Sequence, residues 1–113
     1  MITTRKLSLA FTALFMLGGN IADASAATWA ENHPLRAQVN ARLANQNARI
    51  NDNLAKGNIT PSQAAQLKSE GAAVRAQERF DASLNGGHIT TAQQRALNQD
   101  EDAISQEIYN AAH

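Results

Sequence analysis

The chain has no cysteine, only two prolines, and only three Phe, one Trp and one Tyr among its 113 residues. Its ten basic residues balance its ten acidic ones. Without cysteine there is no disulfide, no thiolate metal ligand and no lipoprotein-type acylation, so stability must come from packing alone. Zero net charge argues against a dedicated nucleic-acid binder, which is normally clearly basic. Few aromatics, and serines without an activating histidine or a glycine-rich turn, give no nucleophile–base pair. Gly86-Gly87 leads to no Lys-Ser/Thr, so a phosphate-cradling loop is absent as well. No catalytic residue and no cofactor is expected.

What is present begins with an address. Arg5 and Lys6 precede an apolar run from Leu7 to Leu17, broken by Gly18, Gly19 and Asn20 and followed by the small residues Ala22 to Ala27. This is the layout of a cleavable secretory signal peptide, and the run is short for a membrane span. The expected organisation is a signal peptide over 1–26, a flexible N-terminal segment over 27–33 and a small helical domain over 34–113. The expected location is the periplasm or the exterior.

Three helices follow from the apolar spacing. Leu35, Val39, Leu43, Ile50 and Leu54 recur at steps of four and seven, which predicts a helix from Pro34 to about Ala55. Pro34 suits a first helical turn, and Gly57 suits a left-handed stop. A second helix is predicted from Thr60 to about Ser83, with Leu67, Ala73, Val74, Phe80 and Leu84 as its apolar stripe. A third follows Thr90 and carries Leu97, Ile104 and Ile108. Short connections make consecutive helices antiparallel neighbours. The expected fold class is all-α, three antiparallel helices joined by short Gly-x-Ile-Thr turns.

A repeat supports this reading. Arg49, Leu54, Gly57, Ile59, Thr60, Gln63 and Leu67 recur thirty residues later as Arg79, Leu84, Gly87, Ile89, Thr90, Gln93 and Leu97. A fixed period of this size marks one supersecondary unit used twice. The shared residues are those that stop one helix and start the next. Thr60 with Gln63, and Thr90 with Gln93, form capping boxes, in which the threonine oxygen and the glutamine side chain satisfy each other's backbone N–H groups.

Gly-x-Ile-Thr also closes calcium-binding helix–loop–helix hands, so the ligand register decides between the two readings. If Ile59 takes the central hydrophobic place, the ligand positions fall on Asp52, Leu54, Lys56 and Gln63. In the second copy they fall on Ala82, Leu84, Gly86 and Gln93. Calcium needs several oxygen ligands and a closing bidentate acid. The alternative function, a degenerate EF-hand-like calcium or transition-metal binding protein, therefore begins with one aspartate. His33, His88 and His113 lack metal-ligand spacing along the chain and read as solvated loop and terminal residues.

Ile59-Thr60-Pro61-Ser62-Gln63 and Ile89-Thr90-Thr91-Ala92-Gln93 resemble the paired Leu-Thr-x-x-Gln motifs of the periplasmic CpxP/Spy group, with Ile in place of Leu. That resemblance implies an exported, all-helical, stress-related or chaperone-like protein. His33-Pro34-Leu35-Arg36 through Arg49-Ile50, the Asn85-Gly86-Gly87-His88-Ile89-Thr90 turn, and the close from Leu97-Asn98 through Ser105 to Tyr109 with the final His113 are similar to a group of small exported bacterial proteins. This second likeness implies export and helical architecture and adds no catalytic residue.

Arg42, Arg49 and Lys56 lie seven apart on one helix face, a possible interaction face for an anionic or acidic partner. Glu70, Gln77 and Glu101 fall on or beside the apolar stripes, where they read either as a polar layer that sets helix register or an oligomer contact or, more commonly, as residues overhanging a thin core. The function expected from all this is a non-enzymatic exported helical protein acting through contacts with a protein partner or with itself, with no nucleic acid and no membrane span.

Overall fold

A computed structural model describes residues 27–113. The expected signal peptide lies outside the described residues. Among the described residues all regular structure is helical. Residues 27–32 are helical, a stretch beyond the three expected helices, and they form part of a separate unit from residues 33–113. The larger unit holds α1 (Pro34–Ala55), α2 (Pro61–Ser83) and α3 (Thr91–Ala112). No described helix is long and apolar enough to cross a membrane.

Each boundary has a local cause. Pro34 and Pro61 stand in first turns, where the missing N–H costs nothing. At Thr60 the hydroxyl accepts from Gln63 N at 3.0 Å while Gln63 Oε1 accepts from Thr60 N at 2.8 Å. Thr90 and Gln93 repeat both bonds at the same distances. Each box supplies two N–H groups that a helix start leaves orphaned. After α1 and α2 the backbone turns through left-handed glycines, Gly57 at φ 78° and Gly87 at φ 95°.

All three helices touch one another. Gln38 meets Asn98, Arg42 meets Asp102 and Gln46 meets Ser105, so α1 and α3 run in the same direction. Between α2 and α3 the order reverses, with Glu70 near Glu107 and Gln77 near Asp100 along one groove. Val39, Ile50, Leu67, Val74, Leu97, Ile104 and Ile108 fill the centre, and Ile59 and Ile89 plug its ends from the two turns. Burying each such side chain contributes about 1.5–3 kcal/mol before chain entropy is counted.

The inward face of α2 is not the predicted stripe. Phe80 and Leu84 are 58% and 62% exposed. Glu78, Asp81 and Ala82 take the inward places instead. From Val74 the steps of four and eight reach Glu78 and Ala82, about 40° and 80° round the helix, whereas Phe80 and Leu84 lie about 120° and 80° round in the opposite sense at 100° per residue.

Candidate interaction groove

The groove between α2 and α3 combines shape and charge. One cavity of about 380 Å³ is lined by Glu70, Ala73, Val74 and Gln77 on one side and by Asp100, Ala103, Ile104 and Glu107 on the other. A second, of about 420 Å³, shares Gln77 and Asp100 and continues to Asp81, Gln93, Ala96 and Leu97. The two therefore form one trough. From residue 70 to residue 81 it spans eleven positions of α2, roughly 16 Å at the helical rise.

Its floor is the buried Val74, Leu97 and Ile104, and the exposed Ala73, Ala96 and Ala103 flank it. Small side chains there allow another backbone to come close. The walls carry Glu70, Asp81, Asp100 and Glu107, and neither cavity is lined by Lys, Arg or His. Two of these acids, Glu70 and Glu107, meet across the groove. A hydrogen bond with Glu70 is the largest cause raising the Glu107 pKa, ahead of burial and of the Glu70 charge. Asp81 is steadied by Gln77, whose Nε2 donates to Oδ1 at 2.9 Å.

The stripe on α1 is arranged differently. Arg42 forms an ion pair with Asp102 and donates from Nη1 to the Asn98 carbonyl at 3.2 Å. Lys56 pairs with Asp52 at 3.0 Å, one helical turn back. Arg49 lies exposed between them. Two of the three cations are thus engaged within the chain. The same Lys56 contact occupies the one aspartate of the first calcium-like loop.

Folding brings together residues that looked remote in the chain. His33, at the start of α1, stacks on His88 of the α2–α3 turn with ring centroids 4.8 Å apart. Tyr109 and His113 stack at 4.1 Å. A cavity of about 200 Å³ beside the His33–His88 stack is lined by Pro34, Leu35, Arg36 and Ile89. Among the described residues no group of three or more His, Cys, Asp or Glu side chains could hold a metal ion.

Of the buried polar residues of the core, Glu101 stands out in the sequence, whereas Glu78 and Gln46 do not. Glu78 and Glu101 are both 0% exposed, and Gln46 is 3% exposed. Glu78 pairs with Arg36, which also donates to the Gly87 carbonyl at 3.1 Å. Of the two readings for Glu101, overhang is excluded, because the residue lies inside the core where a polar layer would sit. A helical wheel carries the signal: Glu101 lies four after Leu97 and seven before Ile108, on the same inward face.

No family model, curated protein or solved structure matches the chain.

Proposed function

We propose that the protein is a non-enzymatic, exported helical protein of the periplasm or exterior that works by holding a protein partner in the α2–α3 groove. The observation that carries this reading is the trough itself, with an apolar floor, alanine flanks and acids but no bases on its walls. Such a surface favours a basic amphipathic segment, whose apolar face covers the floor while its cations neutralise Asp100 and Glu107. The seven-residue spacing of those two acids, about 10 Å along α3, sets the spacing of the cations they would meet.

The Arg5–Lys6 start and the following apolar run favour export, and the motif likeness to the CpxP/Spy group favours a chaperone-like role. In this reading the two Gly-x-Ile-Thr-x-x-Gln units are one folding device used twice, building a three-helix scaffold for the groove.

The test is photocrosslinking in the native envelope from probes at Ala73 and Ala103, with a probe at the exposed Ala48 of α1 as comparison. Discrete adducts from the groove positions alone are expected, and Asp100→Lys with Glu107→Lys should remove them. Equal labelling at all three positions, or adducts indifferent to the charge reversal, would sink the proposal.

A further inference from the structure

The contact between α1 and α3 contains a polar layer that the groove does not use. Gln46 Nε2 crosses from α1 to donate to the Glu101 carbonyl at 2.7 Å and to Ser105 Oγ at 2.8 Å. Those two bonds fix which way the amide points. They leave Gln46 Oε1 and both carboxylate oxygens of Glu101 buried and without hydrogen-bond partners. Three shielded acceptors without a donor are costly, and an unpaired buried carboxylate more so. A proton on Glu101 changes the inventory, because a neutral carboxyl is a donor as well as an acceptor.

The charged groups around Glu101 do not supply a substitute. Arg42 acts on it from α1 but is hydrogen-bonded to Asn98 and paired with Asp102. Asp100 and Asp102 flank it on α3. On α2 the core carboxylate is Glu78, which is already paired with Arg36.

We propose that Glu101 is a proton-operated latch between α1 and α3. Neutral, it completes the Gln46–Ser105 layer and lets α3 close. Ionised, it places an unpaired charge in the core and loosens α3.

Burial raises the Glu101 pKa from 4.5 to about 7, with Arg42 opposing the rise and Asp102 and Asp100 adding to it. The other flank of α3 leans the same way, since the Glu107 pKa is raised by its contact with Glu70. Because the folded chain holds the Glu101 proton more tightly than the unfolded chain, the latch is fully stabilising below about pH 4.5. Its contribution falls as pH rises towards about 7 and is gone above that.

The experiment is urea unfolding and amide hydrogen exchange of the whole chain from about pH 5 to about pH 9, for wild type and Glu101→Gln. Across the whole transition the folding constant attributable to Glu101 should fall on the order of a hundredfold, with exchange quickening first in the 94–108 stretch of α3. Glu101→Gln should lose that pH dependence. A wild-type profile parallel to the Glu101→Gln profile would overturn the proposal, as would faster exchange appearing first in α2. Should the variant not fold, the carbon-13 titration of the Glu101 carboxyl in wild type decides: a midpoint near 7 supports the latch and one near 4.5 overturns it.

Discussion

Arg36 and Glu78, forty-two residues apart in the chain, form an ion pair whose acidic partner is wholly buried and whose basic partner is 18% exposed. The pair ties the first turn of α1 to the C-terminal part of α2. Removing one member leaves a charge in the core, which costs about 3–5 kcal/mol; replacing both by apolar groups is often nearly neutral. Arg36→Met should therefore lower the urea midpoint severely, and Arg36→Met with Glu78→Leu should recover most of the loss. Asp102→Asn, at a side chain 67% exposed, should cost less than about 1 kcal/mol and lose even that in high salt.

The threonine caps invite a paired test. Thr60→Ala and Thr90→Ala should each destabilise by about 1 kcal/mol, and serine at either site should restore most of it. In a domain of this size such a loss lowers Tm by about 4–8 °C, readable by circular dichroism. A change of under about 1 °C on either alanine substitution would contradict the capping-box geometry.

Three glycines separate backbone effects from packing effects. A Cβ at Gly57, Gly71 or Gly87 would meet nothing within 4 Å. At Gly57 and Gly87 the left-handed backbone alone should make alanine cost about 1–2 kcal/mol. Gly71 sits inside α2, so alanine there should stabilise by about 0.5–1 kcal/mol. Thermal melts of the three variants should therefore move in opposite directions.

The Glu70–Glu107 contact predicts a pH-dependent gain. Since the Glu107 pKa is raised, its folded-state contribution is present at acid pH and lost as pH rises. Glu107→Gln should match wild type under acid conditions and melt higher under mildly alkaline ones. Thermal scans at the two pH values check this, and identical curves at both would count against the contact.

Much of the scaffold was legible because it is written in spacing. Val39, Leu43, Ile50, Leu67, Val74, Leu97, Ile104 and Ile108 recur at helical steps, and all are buried. The boundaries were legible because proline, threonine and glycine act there through local chemistry. What escaped the reading depends on rotation and on contacts far along the chain. On α2, apolar residues occupy more than one face, so Phe80 and Leu84 looked as inward as Val74. Only the neighbours decide, and Arg36 of α1 makes Glu78 the inward residue. The His33–His88 stack likewise needs α1 and the α2–α3 turn to meet at one end, which no local pattern encodes. The groove was half visible: Glu70 and Gln77 stand beside an apolar stripe in the sequence, but Asp100 and Glu107 stand opposite them only once α3 has folded back.

The polar ties of α1 also bear on the order of assembly. Gln38, Arg42 and Gln46 find their long-range partners on α3, fifty-five to sixty residues later. Pairing α1 with α2 satisfies none of these three, because every one of those partners lies between residues 94 and 105. Closing α1 on α3 therefore rests on contacts of high sequence separation, the kind whose loop-closure cost slows folding.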